Sequence, residues 1–444
     1  MRTEREITPL EEIERNVQER AKHATIDMAA PGADECIRVF VRHEIATWQL
    51  DYRRGTRPFD LADPDHLADR AMRNLVGFGP LGPLLDDDDV WEVMLNAPDS
   101  IFVKRHRGRS GYHHESFHDD DHVMRTLTKL LDESSASHRK LDPSEGLQDA
   151  QLDNGARMHI VHGDIARGGH LMVNIRKFTG IAFHDLDQLV ETGTINAQVA
   201  EFLTACVRAR RSIVFAGAPG SGKTTLLSCC AAELDPVLRV VIAEEVFEAD
   251  VPLANVASMQ TRAARADRPP IDLRRLVAGF LRMAPDVAIV GEVRDKEALP
   301  LLLTLSSGVQ GFTTIHAGSA RQALTRLRFI CQLSDTASEL PISALNSLVS
   351  ESIDVVVHAT RTPHGPRVSS IVALEDLAGP VDATQFTITE VFRRGGPDEP
   401  LRWTGQLPAR LGRSLAESGF DIRRILDHGA PASDNARQVR ANSA

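Results

Sequence analysis

The chain has 444 residues, of which 42% are hydrophobic and 25% are charged. This composition excludes a wholly disordered chain, a collagen-like fibre and a small disulfide scaffold, and the length predicts about two to four globular domains. The formal net charge is −11, from 51 basic and 62 acidic residues, so the charge balance does not predict nucleic-acid binding. The five cysteines lack C-x-x-C spacing, and no apolar run is long enough to cross a membrane. We therefore expect a reduced cytoplasmic protein with neither a zinc module nor a transmembrane helix.

Residues 1–180 are predicted to comprise a helical segment and a small α+β domain. Within 1–75, apolar residues at three- and four-residue spacing predict helices. Residues 76–180 contain strand-like runs and one helical run, which the turn signals Asp-Asn-Gly and Arg-Gly-Gly punctuate. The strand-like runs are VWEVMLN, SIFVKR, ARMHIVHGD and HLMVNIRKF, and the helical run is HVMRTLTKLLDESS. Residues 181–200 are interpreted as a linker with an entry helix.

Residues 201–427 are predicted to form an α/β domain. Short apolar runs alternate here with helical stretches, which indicates a mostly parallel sheet with helices on both faces. Two further strand-like runs, VSSIVALEDL and FTITEVFRR, precede a helical piece, PARLGRSLAESGF. Residues 428–444 have the composition of a disordered tail. The predicted core strands are 212–216, 239–243, 287–290, 312–315 and 354–358.

A glycine-rich segment between a predicted strand and a predicted helix matches the phosphate-binding pattern G-x-x-x-x-G-K-[ST]. Glycines allow backbone N–H groups to turn inward around a triphosphate, and the helix N-terminus adds a favourable dipole. The pattern predicts that Lys223 reaches the β- and γ-phosphates and that the Thr224 hydroxyl binds Mg²⁺. A chance glycine-rich turn is the alternative, and the flanking strand and helix argue against it. The segment, hereafter the P-loop, consists of Gly217, Ala218, Pro219, Gly220, Ser221, Gly222, Lys223 and Thr224.

Two strand-like runs end in acidic residues. The run 287–290 is followed by a glycine and Glu292, the pattern of a buried strand that delivers a carboxylate beside a P-loop. The run RVVIA is followed by Glu244, Glu245 and Glu248, at the strand end where ligands bind in open α/β sheets. One of these three carboxylates could orient or deprotonate an attacking water, and another could tune a bound metal. An exposed strand end and a solvated acidic turn are the alternatives.

The strand-like run 312–315 is followed directly by His316. A histidine at this strand end could place its imidazole against the γ-phosphate of a bound nucleotide. A lone histidine at the end of a strand is as often structural, so this position alone leaves both roles open.

Taken together, these elements resemble the secretion ATPase superfamily of type II and type IV secretion, pilus assembly and pilus retraction. The resemblance covers about residues 75–425 and is strongest to the CpaF/TadA branch, the tight-adherence pilus motors. The phrase LRMxPDxxIVGEVRxxEAL is highly specific for that branch. The resemblance implies a C-terminal RecA-like P-loop NTPase domain preceded by a small α+β domain. The segments that carry it are GFGPLGPLLDDDDVWEVMLNAPDSIFV, DAQLDNGARMHIV, VNIRKF, GAPGSGKTTLL, AEEVFEA, LRMAPDVAIVGEVRDKEAL and GFTTIHAGSARQALTRL.

The resemblance also implies roles for individual residues. The ATP-binding Walker A loop would extend from the P-loop to Thr225. Glu292 would be the Walker B carboxylate and would bind Mg²⁺ with Thr224, partly through water. Arg157 and Arg176 match arginines that reach toward the γ-phosphate, where positive charge neutralises the transferred phosphoryl group. The catalytic residues implied are Glu248 as the activator of water, Glu292, the nucleotide-sensing His316, Arg157 and Arg176.

The chain departs from the family pattern at two places near the site. The acidic box usually reads Glu-Asp, whereas here it reads Glu244-Glu245. The branch usually has a first histidine in a T-G-H-D-G stretch, and Val309 stands at that position here.

The resemblance implies a cytoplasmic ATPase that powers pilus assembly or protein export through an integral inner-membrane platform protein. Such relatives form hexameric rings, so we expect a homo-oligomer at the inner face of the cell membrane, with no direct nucleic-acid contact. A conjugation-type ATPase for DNA transfer is a second hypothesis, which the identity of adjacent genes would separate. A nucleotide-binding regulator with weakened hydrolysis is a third, favoured by Val309 and opposed by Lys223, Glu248 and Glu292. A small-molecule kinase would explain neither the N-terminal portion nor the GEVR phrase.

Overall fold

The computed structural model describes residues 8–26, 32–106, 108–134, 140–177, 183–262, 269–333, 340–375, 385–396 and 399–427. The chain divides into two compact units, Met1–Thr179 and Gly180–Ala444. The predicted disordered tail, 428–444, lies outside the described residues. In the described ranges, no helix is both long and apolar enough to span a bilayer.

Three helices open the first unit, within the region where apolar periodicity predicts them. They are α1 (Pro9–His23), α2 (Ala33–Arg53) and α3 (Pro64–Val76). Helix α1 begins with a capping box, in which the Thr8 hydroxyl accepts from the backbone N–H of Glu11 and the Glu11 carboxylate accepts from that of Thr8. Each helix buries one apolar stripe against the others, and their shared core includes Ile13, Val17, Ile37, Val41 and Ala71.

The rest of the first unit is built on a six-stranded antiparallel sheet. Its strands are β1 (Val90–Ala97), β2 (Ser100–Arg105), β3 (Gly111–Tyr112), β4 (Leu147–Gln151), β5 (Arg157–Val161) and β6 (Met172–Arg176). Their order across the sheet is β3-β2-β1-β6-β5-β4. The accompanying helices are α4 (Leu81–Asp86), α5 (Asp120–Glu133) and the 3₁₀ turn Pro143–Glu145. Alternate strand residues point to one apolar core that also holds Leu127 and Leu131 of α5.

The second unit contains a nine-stranded sheet. Its strands are β7 (Ile213–Gly217), β8 (Val240–Glu244), β9 (Val256–Gln260), β10 (Val287–Val290), β11 (Gln310–Ile315), β12 (Val355–Thr362), β13 (Gly365–Leu374), β14 (Ile388–Arg394) and β15 (Leu401–Trp403). The order is β15-β14-β13-β12-β7-β11-β10-β8-β9. Neighbours from β12 to β9 pair in parallel, whereas β13, β14 and β15 extend the sheet beyond β12 as antiparallel strands.

Helices cover both faces of this sheet, so the chain has the predicted α/β class. They are α6 (Leu186–Glu191), α7 (Ala197–Arg208), α8 (Lys223–Ala231), α9 (Leu273–Val277), the 3₁₀ helix Phe280–Met283, α10 (Ala298–Ser306), α11 (Ala320–Gln332), α12 (Ile342–Ser352), α13 (Ala409–Glu417) and α14 (Ile422–Asp427). Successive residues of β7 enter different apolar clusters, Ile213 and Phe215 on one face and Val214 and Ala216 on the other. Such two-sided burial is typical of parallel strands.

Two parts of the second unit add to the sequence interpretation, which gave a linker with an entry helix at 181–200. The described residues of 181–200 include helix α6 and the start of α7, whose Leu186, Leu189 and Val199 are buried in the core. They belong to the packed unit because their apolar residues recur at helical spacing. Strand β9 has no counterpart among the predicted strands, since it is half-exposed along its length and has no continuous apolar run.

Candidate functional site

The P-loop connects β7 to α8 at the C-terminal edge of the parallel sheet. Strand β7 ends at Gly217, and α8 begins at Lys223. Gly222, which precedes α8, has φ +85°, in the left-handed region that favours glycine. A methyl group on Gly217 would lie 2.3 Å from the backbone oxygen of Ala359 on β12, so no side chain fits there. Backbone geometry therefore requires these two glycines of the motif.

The lysine of the P-loop contacts the histidine at the end of β11. Lys223 is buried, and its Nζ donates to the backbone oxygen of Ala218 at 3.1 Å. The same Nζ lies 3.3 Å from Nδ1 of His316. Nδ1 of His316 also lies 3.3 Å from the backbone oxygen of Gly217, which can only accept a hydrogen bond. On the other side of the ring, Nε2 of His316 lies 2.8 Å from Oε1 of Glu292.

The carboxylate of Glu292 lies between the imidazole of His316 and the guanidinium of Arg294. Nη2 of Arg294 donates to Oε2 of Glu292 at 2.7 Å, and Nη1 donates to Oε2 of Glu245 at 2.8 Å. Burial alone would raise the pKa of Glu292, but the hydrogen bonds from His316 and Arg294 outweigh burial and lower that pKa to about 2. Hydrogen bonding to Glu292 in turn raises the pKa of Arg294. Lys223, His316, Glu292, Arg294 and Glu245 thus form one continuous chain of contacts, hereafter the ion-pair chain.

The other two carboxylates after β8 have different surroundings. Glu244 is 2% exposed, and its Oε1 accepts from the backbone N–H groups of Glu248 at 3.1 Å and Ala249 at 2.9 Å. Glu244 therefore shapes the turn that carries Glu248. Glu248 is half-buried, and after Glu292 and Glu245 its charge also contributes to the raised pKa of Arg294. Of the three carboxylates named from sequence, Glu244 is thus engaged within the fold and Glu248 lies near the ion-pair chain.

The register of the parallel sheet explains why these segments meet. Ala216 of β7 pairs with Ile315 of β11, one residue before His316. Val290 of β10 pairs with Thr313 of β11 and with Ala243 of β8. Since these strands run in one direction, their carboxyl ends share one edge of the sheet. The four sequence segments predicted to carry chemistry are therefore brought together.

The residues around the P-loop suit a nucleotide with Mg²⁺. Thr224 and Thr225 lie half-buried in the first turn of α8, where a helix N-terminus favours an anion. The Thr224 hydroxyl and the Glu292 carboxylate are oxygen donors of the kind that Mg²⁺ prefers. Oγ of Ser221 is buried and has no hydrogen-bond partner among the described residues. These oxygen donors and the helix N-terminus therefore fit the predicted nucleotide and Mg²⁺.

The two arginines predicted to assist phosphoryl transfer are neighbours in the sheet of the first unit. Arg157 of β5 and Arg176 of β6 are directly opposite in register, so their side chains leave the same face. Glu92 of β1 is opposite Arg176 on its other side. Glu92 accepts from Asn174 at 2.9 Å and from Lys104 at 2.5 Å. The arginines thus form a cationic pair; their action on a phosphate remains a prediction.

Sequence reasoning missed one residue that contacts the P-loop. Arg361 of β12 donates from Nη1 to the backbone oxygen of Gly220 at 3.1 Å. The predicted strand 354–358 stops short of it, because the apolar run ends where the strand passes the sheet edge. The alternation of Thr360, Arg361 and Thr362, all compatible with a strand, is the signal that could have extended it. Val309, in place of the family's first histidine, is partly buried against the apolar core near β11.

Residues 74–367 match the family described as Type II/IV secretion system protein. The conjugal transfer protein TrbB of Rhizobium radiobacter is 32% identical over 309 residues, covering 66% of this chain and 85% of that protein. The type IV secretion system protein PtlH of Bordetella pertussis (strain Tohama I) is 29% identical over 307 residues, covering 63% and 88%. The crystal structure of the VirB11 ATPase from the Brucella suis type IV secretion system, in complex with sulphate, shares 25% identity, covers 66% and 94%, and superposes with a TM-score of 0.35. The chain therefore belongs to the type II/IV secretion system protein family.

Proposed function

We propose that this chain is an ATPase that hydrolyses ATP to ADP and phosphate and powers pilus assembly or protein export. The observation that carries the proposal is the ion-pair chain, in which the P-loop lysine and the carboxylate after β10 meet through His316. A lysine paired this way can exchange the imidazole for a phosphate without leaving an unpaired buried charge. The branch-specific phrase around Glu292 supports a tight-adherence pilus motor of the CpaF/TadA type.

In the proposed mechanism the nucleotide takes Lys223 away from His316. The lysine then binds the β- and γ-phosphates, and the backbone N–H groups of the P-loop surround them. Thr224 and Glu292 would hold Mg²⁺, partly through water, and that ion would neutralise charge on the phosphates. His316, freed from the lysine at Nδ1, can report the γ-phosphate while its Nε2 remains beside Glu292.

The remaining steps are assigned to Glu248 and to the arginine pair. Glu248 would orient the attacking water and accept its proton, and the low pKa of Glu292 keeps that second carboxylate charged for the metal. Arg157 and Arg176 would neutralise charge that develops on the transferred phosphoryl group. Residues from a separate unit can complete the site within one subunit or between neighbours, and a closed hexameric ring supplies head-to-tail interfaces for the latter.

The proposed place of action is the cytoplasmic face of the inner membrane, docked on an integral platform protein. A conjugation-type ATPase for DNA transfer is the second candidate, favoured by the similarity to TrbB, which is a conjugal transfer protein. The two differ in genomic neighbourhood: pilin genes next to this gene would support the first, and a relaxase gene would support the second. In either case we propose that the chain itself does not contact nucleic acid.

The test of the proposed activity is phosphate release by the purified full chain with ATP and Mg²⁺. We expect turnover by the parent and none by Lys223→Ala, because the cation that meets the transferred phosphate is gone. Lys22→Ala is the matched control, since Lys22 is exposed on α1. Equal rates for the parent and Lys223→Ala would refute the P-loop assignment. Nucleotide binding without turnover by the parent would favour a regulator. The ATPase rate is also measured as the protein is diluted. A rate per subunit that stays constant at concentrations where the protein is shown to be a monomer would refute the requirement for a ring.

A further inference from the structure

The P-loop is bounded on one side by the hairpin of β12 and β13. Ala359 pairs with Gly217 in parallel register, so β12 continues past the sheet edge beside the loop. Arg361 lies two residues further and reaches the loop through the oxygen of Gly220. On β13, Cβ of Pro366 would lie 3.2 Å from a methyl group placed on Gly222. The hairpin therefore contacts the P-loop at its beginning, middle and end.

One face of the hairpin makes these contacts. Arg361 and Pro366 are opposite each other in the β12–β13 register, so they share a face. Thr360 and Arg367 form the next pair and therefore lie on the other face. Arg367 points toward Gly193, where its Nη2 would lie 3.7 Å from an added methyl group. The hairpin thus provides two arginines in similar sequence positions, of which only Arg361 faces the P-loop.

The ion-pair chain indicates the direction in which a bound triphosphate would run. Lys223, which meets the β- and γ-phosphates in a P-loop, is directed to His316 at the end of β11. This marks the β11 side as the γ-phosphate end. Strand β7 has β11 on one side and β12 on the other. The α-phosphate and the nucleoside would therefore leave the loop on the β12 side, toward Arg361 and Pro366.

We propose that Arg361 and Pro366 form the nucleoside part of the site and that the guanidinium of Arg361 stacks on a purine base. This rests on the proposed nucleotide function and adds a specificity determinant to it. The Arg361 guanidinium is held in place by its bond to Gly220, and a fixed planar cation is suited to stacking on a π-system. Arg361 is an exposed residue, so a ligand can reach its side chain. Arg361 would thus favour nucleoside triphosphates over inorganic triphosphate, and purines over pyrimidines.

The experiment compares two ligands that share the phosphate chain. Dissociation constants for ATP and for inorganic tripolyphosphate, each with Mg²⁺, are measured by calorimetry on the parent, Arg361→Gln and Arg367→Gln. We expect Arg361→Gln to weaken ATP binding about 5- to 30-fold, the size of a cation–π contact, and to change tripolyphosphate binding less than about twofold. Arg367→Gln should bind both ligands like the parent. CTP should bind the parent more weakly than ATP, with the difference reduced in Arg361→Gln.

Three outcomes would overturn the proposal. An equal loss of ATP and tripolyphosphate affinity in Arg361→Gln would show that Arg361 acts only on the P-loop, through Gly220. Parental ATP affinity in that variant would show that the base does not contact Arg361. A parent that binds neither ligand would overturn the proposed nucleotide site itself, which distinguishes that failure from the first two. Tripolyphosphate binding also reports that the variant retains a folded P-loop.

Discussion

The two units each contain a histidine–glutamate contact, and the two contacts have nearly the same length. In the first unit Nε2 of His118 lies 2.7 Å from Oε2 of Glu14, and in the second Nε2 of His316 lies 2.8 Å from Oε1 of Glu292. Both pairs have low exposure: the first shows 19% and 7% of its side-chain surfaces, the second 25% and 20%. Distance and residue type therefore do not separate a structural pair from one proposed to be functional.

The difference lies in what surrounds each pair. Oε1 of Glu14 accepts from Nδ2 of Asn74 at 2.8 Å, so the carboxylate connects α1, α3 and the segment before α5. Both partners of Glu14 are side chains that hold segments of the first unit together. In the second unit His316 also contacts Lys223, and in the proposed function the ammonium group of Lys223 would bind a phosphate instead. We therefore expect the second pair to be functional, because its neighbour Lys223 could bind a ligand without any change of fold.

The sharpest test of this comparison applies one substitution to both pairs. Glu292→Gln should reduce ATP hydrolysis about 100-fold or more while ATP still binds. The substitution removes the negative charge proposed to hold Mg²⁺ but preserves the shape of the side chain. Glu14→Gln should leave the rate per folded subunit unchanged. Phosphate release and nucleotide binding are measured on both variants. Equal hydrolysis by Glu292→Gln and the parent would contradict the proposed role of the second pair.

The arginine pair of the first unit tests whether that unit also contributes to chemistry. Arg157→Ala and Arg176→Ala should each slow hydrolysis by about 10- to 1000-fold, less than a single arginine finger, because two cations share the task. Arg109→Ala is the control, since Arg109 is an exposed arginine of the same unit. Parental rates in both variants would leave the first unit with a structural role only.

The structural role of the first pair predicts a change in stability. His118→Ala leaves the buried carboxylate of Glu14 with fewer partners, which should lower the free energy of unfolding by about 1–3 kcal/mol. Urea denaturation measures it, with His184→Ala as the exposed control. An unchanged urea midpoint would mean that solvent replaces His118 and that the pair does not stabilise the fold.

The smallest effect concerns His122 beside the first pair. Burial, and then the charge of His118, lower the pKa of His122 to about 3. The unfolded state, with its ordinary pKa near 6.5, binds a proton first, so stability falls as pH drops below about 6.5 and is lost progressively toward pH 3. Between pH 7.5 and 5.5 the loss should be about 1 kcal/mol larger in the parent than in His122→Gln. Parallel pH profiles of the two unfolding free energies would contradict this.

Much of the fold was predictable because the core strands of the second unit are continuous apolar runs. Residues 287–290 are a strand both in the sequence prediction and in the structure. A strand that is buried on both faces is a continuous apolar run, which is easy to recognise in a sequence. Short or half-exposed strands such as β3, β4 and β9 have no such signature. Their formation depends on pairing with a neighbour, which local pattern does not reveal.

Some residues of the candidate site were likewise predictable from the sequence, and others were not. The P-loop and the residues after β8, β10 and β11 were predictable, because a parallel sheet gathers the ends of its strands at one edge. The different surroundings of Glu244 and Glu248 were not, since they depend on which carboxylate accepts hydrogen bonds from the backbone. Arg361 was missed for a similar reason: its contact with Gly220 depends on strand register across a long sequence separation.

The position of β7 also bears on the order of folding during synthesis. Both of its sheet neighbours come later in the chain: β11 pairs with it at Phe312–Ile315, and β12 from Val355 onward. In a nascent chain that ends before β12, the apolar strand β7 therefore has one edge of unpaired backbone N–H and C=O groups, which is prone to non-native pairing. Such long-range pairing is slow to form, because distant segments must meet before any contact stabilises them. The first unit can therefore be compact on the ribosome while the sheet edge that carries the P-loop is among the last parts to assemble.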